Sequence, residues 1–186
     1  MSKLPITLTV FIHEDLKDFD QDLLYSQYFD WLEYTITKIS GRAMYVTFVQ
    51  PSDAPSLSNI DYKTDDLEKL LTTMADQLTP YINAKNTSFD NSIQKFLLLT
   101  RDNINKEVMG VAFDSGALAV ASITDYAAAG HEVGHMLSAS HQDSDRSITP
   151  YYGTINSIMY ATAGSTSCRF SDKNEDNIRN YLNQFD

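Results

Sequence analysis

His131-Glu132-Val133-Gly134-His135-Met136-Leu137-Ser138-Ala139-Ser140-His141 is the stretch that decides how this chain is read. Two histidines four residues apart share one helix face. At about 100° per residue the fourth returns to within roughly 40° of the first, about 6 Å further along the axis. That separation lets both imidazoles reach one tetrahedral Zn²⁺ at about 2.0–2.1 Å. Glu132 points to another azimuth, suited to a water at the metal rather than to the metal. Three protein ligands leave a fourth position open, which separates a catalytic zinc from a structural one. Three of the four histidines of the chain fall inside these residues, at His131, His135 and His141. An ordinary helix with two solvent-facing histidines does not account for that concentration. Small residues in Asp125-Tyr126-Ala127-Ala128-Ala129-Gly130 precede the motif and let its helix, expected over about 125–138, bury deeply.

Upstream, ALAVASI (117–123) and VMGVAF (108–113) read as strands joined by the turn signal Asp114-Ser115-Gly116. KFLLLT (95–100) is a continuous apolar run, the mark of a strand covered on both faces. Leu67, Leu70, Leu71, Met74 and Leu78 fall on one face of a helix over 64–79, and 51–59 is a loop rich in Pro, Ser and Asp. AMYVTFV (43–49) and ITLTVFI (6–12) are strands. Between them residues 18–39 carry apolar side chains at helical spacing, closed by Gly41 as a cap. Downstream, 142–156 has turn residues and no periodicity. A last helix over about 172–184 has Ser171 as N-cap and Asp172, Glu175 and Asp176 in its first turns. The sum is a mixed α/β (α+β) domain with one sheet of about five strands and an irregular C-terminal third.

The motif resembles the signature of the metzincin superfamily of zinc peptidases, HExxHxxGxxH followed by a methionine turn. Ser157-Ile158-Met159-Tyr160 supplies the second half, beyond His141. The resemblance covers 95–186, with an element order similar to adamalysin-type members and a Met-Tyr pair similar to matrixins. It implies one catalytic domain over 1–186, split near residue 141 into N-terminal and C-terminal subdomains. It implies Met159 as an apolar floor beneath the three histidines and Tyr160 as a wall of the substrate pocket. Ser138 stands where the family has a glycine that ends the helix in a left-handed conformation. A serine there carries about 1–2 kcal/mol of strain, and its hydroxyl is expected to bond a terminal carbonyl. Gln142 does not mark a subfamily, and no room for an inhibitory propeptide precedes the first strand. Cys168 matches no cysteine latch and reads as a semi-buried thiol, and His13 reads as a surface residue.

The function implied is that of a zinc endopeptidase. Zinc lowers the pKa of its water toward about 7, and Glu132 accepts the proton as the water attacks the peptide carbonyl. The substrate is expected to lie extended against an edge strand near 107–114. Two other readings stay open: a metal-binding or toxin-like module with little proteolysis, and a zinc amidohydrolase of small substrates. The partner is thus a peptide or protein substrate. With 25 acidic against 14 basic residues and a net charge of −11, nucleic acid and anionic membrane are poor partners. No stretch is apolar enough to span a bilayer. A single cysteine excludes an intrachain disulfide. The chain is expected to be a monomer holding one zinc. The sequence leaves open a structural calcium, and whether the chain is cytoplasmic or a secreted mature domain.

Overall fold

A computed structural model of the chain describes residues 3–85, 88–161 and 167–185. Its strands are β1 (Ile6–Ile12), β2 (Met44–Val49), β3 (Gln94–Thr100), β4 (Gly110–Ala112), β5 (Leu118–Ser122), β6 (Arg146–Thr149) and β7 (Gly153–Asn156). Its helices are α1 (Gln21–Leu24), α2 (Asp30–Ser40), α3 (Pro55–Ser58), α4 (Leu67–Ala84), α5 (Ala128–Met136) and α6 (Asp172–Asn183). The first five strands form one sheet in the order β2-β1-β3-β5-β4. All its pairings are parallel except that of β4, which runs antiparallel to β5 at the edge.

Strand alternation divides the core between the two faces of the sheet. Leu97 and Leu99 of β3 and Ala119 and Ala121 of β5 join the interior with α2, α5 and α6. Phe96, Leu98, Leu118 and Val120 face the other way, onto Leu70, Leu71, Met74 and Leu78 of α4. Covering on both faces is why the β3 segment is apolar throughout. The two alanines of β5 lie on the face that receives α5, and their small side chains let that helix sit close to the sheet.

The expected strands and long helices are present, with shifted limits. The 18–39 helix starts at Gln21 and contains a π turn over Tyr25–Phe29 before α2 ends at Gly41, whose φ of 67° lets its N–H reach Thr37. The 64–79 helix runs on to Ala84, through Pro80. Two expectations change. The 51–59 loop contains α3, which starts on Pro55. The unpatterned 142–156 stretch contains the β6–β7 hairpin, which pairs with no strand of the main sheet. Among the described residues, no helix is long and apolar enough to cross a membrane.

Two cations lie in the interior. Arg42 donates to the Leu4 and Leu182 carbonyls at 2.9 Å each, tying the end of α6 to the N-terminal segment. Lys95 donates to the carbonyls of Asn91 (2.6 Å) and Gly116 (2.8 Å) and to the Tyr181 hydroxyl (3.1 Å). Burial pulls its ammonium down to about 7.

Candidate metal centre

Helix α5 stops within one turn of His135. Ser138 N–H donates to the His135 carbonyl (3.0 Å) and Ala139 N–H to the Gly134 carbonyl (2.9 Å), the paired bonds of a Schellman turn. Ser138 takes the left-handed position with φ of 75°. Its hydroxyl pairs not with a terminal carbonyl but with Ser115 Oγ, at 2.8 Å. The chain reverses there, and a short 3-10 turn at His141–Asp143 carries the third histidine back to the helix.

The three imidazoles converge. Their Nε2 atoms are 2.9 Å apart between His131 and His141, 3.0 Å between His135 and His141, and 3.2 Å between His131 and His135. Nitrogens bound to one tetrahedral zinc at about 2.0–2.1 Å stand about 3.3–3.4 Å apart. The donor set therefore fits one such ion after shifts of a few tenths of an ångström. The Nδ1 sides agree with this. His131 Nδ1 lies 2.7 Å from the Ile158 carbonyl oxygen, which can only accept. The ring proton therefore sits on Nδ1 and leaves Nε2 bare. His135 Nδ1 is buried without an aligned hydrogen bond, and Asp114 Oδ1 lies 2.9 Å away.

The electrostatics suit uncharged ligands. Burial pushes His131 down to about 4, against the pull of the Ile158 carbonyl. Burial and then His141 lower His135, against Asp114. Both rings are neutral at pH 7, as a metal requires. Glu132 is 6% exposed. Burial first and Asp114 second raise its carboxyl to about 8. Among the described residues no hydrogen bond reaches that carboxyl, and the histidines that line the same cleft could bring a cation to it.

Glycines shape the walls. A Cβ on Gly110 of β4 would lie 2.7 Å from both Cγ and Oε1 of Glu132. The edge strand thus leaves a slot that the carboxyl fills. Under α5, a Cβ on Gly134 would meet Met159 Sδ at 2.6 Å and Phe170 Cε1 at 2.8 Å. One on Gly130 would collide with the Trp31 ring. Ile158, Met159 and Phe170 are fully buried.

The histidines, Glu132, Tyr160 and the whole of β4 line one open cleft of about 360 Å³. That volume is at the low end of ligand sites and admits a few side chains at a time. Every residue singled out for the site lines this cleft except Met159, which is buried against Gly134 of α5. His13 is half-buried rather than on the surface, with Nε2 3.0 Å from the Ile60 carbonyl. Cys168 is partly buried, and burial raises its thiol. Sequence reads Gly110 only as a strand residue and Asp114 only as part of a turn; strand pairing and the turn's geometry bring them to the site.

No known family profile and no curated protein matches the chain by sequence. Solved structures do match. Metalloproteinase-II from Bacteroides fragilis superposes with a TM-score of 0.68 at 14% identity, over 98% of this chain and 55% of that one. The chain thus spans about half the length of that protein. Archaemetzincin from Archaeoglobus fulgidus, complexed with malonate, aligns over 92% of both chains at 16% identity with a TM-score of 0.39. The likeness to the Bacteroides protein shows that the two chains share a fold: a five-stranded, mostly parallel sheet packed with helices.

Proposed function

We propose that the chain is a metallopeptidase and, more finely, a zinc-dependent endopeptidase. The observation that carries this reading is the convergence of three imidazole Nε2 atoms within 3.2 Å of one another in an open cleft also lined by a buried carboxyl that, among the described residues, accepts no hydrogen bond. His131, His135 and His141 would hold the ion. Zinc, when bound, supplies a Lewis acid that makes a water acidic near pH 7 and polarises a carbonyl. The chain's own residues supply the rest. Glu132 accepts the proton of the attacking water at its carboxylate and delivers it to the leaving amine. Strand β4, with one edge unpaired, offers backbone groups to an extended peptide. Tyr160 lines the same cleft as β4 and would contribute a wall to the substrate pocket, and Met159, packed against Gly134, would help to fix the helix that carries two of the histidines.

The test is cleavage of a mixed peptide library by the purified protein, with zinc and with chelator, beside Glu132→Gln. Cleavage that needs zinc and disappears in Glu132→Gln, while that variant still binds zinc, is expected. Cleavage by Glu132→Gln at near the parent rate would overturn the role of Glu132. Zinc uptake well below one equivalent would overturn the metal reading.

A further inference from the structure

The turn between β4 and β5 does more than connect two strands. Ser115 N–H donates to the His135 carbonyl at 2.8 Å, a helix-end carbonyl that the Schellman turn also uses. Ser115 Oγ meets Ser138 Oγ at 2.8 Å, and the Ser115 carbonyl accepts from the Tyr181 hydroxyl at 3.4 Å. Both serines are left-handed, with φ of 55° and 75°. Glycine would adopt those angles without strain, but it would lack the hydroxyl pair. These side chains thus lock the turn onto the end of the helix that carries His135.

The locked turn presents Asp114 to His135. Asp114 is 85% exposed, and among the described residues it has no Lys or Arg partner; its ion pair is with His135 Nδ1, at 2.9 Å. That nitrogen is buried and has no aligned hydrogen bond. The distance is already that of a hydrogen bond, and the carboxylate is exposed, so a change of its own torsions would be enough to align the pair. The Ala139 carbonyl, which also acts on His135, is the rival acceptor. A carboxylate on the outer nitrogen of a ligand histidine fixes its tautomer and orientation and makes the inner nitrogen a better donor.

We propose that Asp114 is a positioning residue for the metal centre, holding His135 with Nε2 bare, and that the Ser115–Ser138 pair holds Asp114 there. This rests on the metal reading above. Asp114→Ala is expected to weaken Zn²⁺ binding, read by competition with a chromophoric chelator, by about 10–100-fold. Asp114→Asn, whose amide oxygen still accepts, is expected to lose less. The unfolding midpoint of the metal-free protein should not move in either variant. Ser115→Gly with Ser138→Gly is expected to weaken zinc several-fold, but to add little once Asp114 is alanine. Zinc affinity of Asp114→Ala within twofold of the parent would overturn the proposal and assign the outer nitrogen to Ala139. Nitrogen-15 NMR of the imidazoles in the metal-free protein decides independently of metal uptake. The parent should show His135 protonated on Nδ1 and Asp114→Ala a mixture of tautomers. A parent protonated on Nε2, or an unchanged tautomer in the variant, would overturn it. A parent that takes up no zinc yet shows the expected tautomers would instead sink only the metal reading.

Discussion

Glu132 sits in a slot that exists because residue 110 has no side chain. A methyl group at that position would stand 2.7 Å from the Glu132 Cγ and Oε1 atoms and 2.9 Å from the Val120 carbonyl oxygen. The backbone cannot give way as cheaply as the end of the glutamate, so the carboxyl is displaced toward the cleft. A misplacement of about 1 Å in a proton-transferring group costs on the order of 100-fold in rate. Gly110→Ala is therefore expected to lower kcat by about that factor, with KM and zinc stoichiometry close to the parent's. Normal kcat in this variant would show that the slot does not set the position of Glu132. Sequence patterns could not point to Gly110. The Glu132 spacing was readable along the helix, but the wall facing it comes from a strand more than twenty residues away whose only mark is a small residue.

At the level of single elements, the stop of α5 matters most. His131 and His135 needed only helix periodicity to be paired, whereas the role of His141 depended on the helix ending before it. The Schellman turn at Ser138 supplies that ending, with the positive φ that the motif comparison implied. The partner of the Ser138 hydroxyl was not readable, because Ser115 comes from a different element. Ser138→Gly removes left-handed strain of about 1–2 kcal/mol and a hydrogen bond of about 1 kcal/mol. Its stability in denaturant titration should lie within about 1 kcal/mol of the parent. His141→Ala should weaken zinc binding sharply, because two histidines remain where three converged. Zinc affinity unchanged by His141→Ala would mean that the third ligand lies elsewhere. The β6–β7 hairpin was missed for an opposite reason. Its strands are four residues each, and Ile148, Tyr151 and Tyr152 are 83–92% exposed, so no buried face imposes an alternation that a pattern could show.

For the molecule as a whole, the sheet was legible because its inner strands β3 and β5 are covered on both faces and carry apolar runs, while β1 alternates in the way a strand requires. The strand order was not, since parallel neighbours are joined by distant crossovers. Helix α5, which carries His131, Glu132 and His135, packs in the interior, and the burial has a consequence for stability. The Glu132 carboxyl is ordinary in the unfolded chain, near 4.5, and is raised to about 8 in the folded one. Between those values the folded state binds a proton that the unfolded state has lost, so stability falls as pH rises. From pH 6.5 to 8 that loss amounts to about 1.5 kcal/mol in the metal-free protein. His131, depressed to about 4, acts with the opposite sign but below about pH 6.5, where the unfolded ring begins to take up its proton. Lys95, held near 7, gains stability as pH rises above that value. Both terms are common to the parent and to Glu132→Gln, which removes only the carboxyl. Unfolding of the two metal-free proteins should therefore give curves that diverge from pH 6.5 to 8, the variant gaining on the parent by about 1.5 kcal/mol. Saturating zinc should flatten the parent's extra slope, since a dication beside the carboxylate offsets the cost of its charge. Parallel curves across that range would show that Glu132 is already ionised without metal, and that some other group meets its charge.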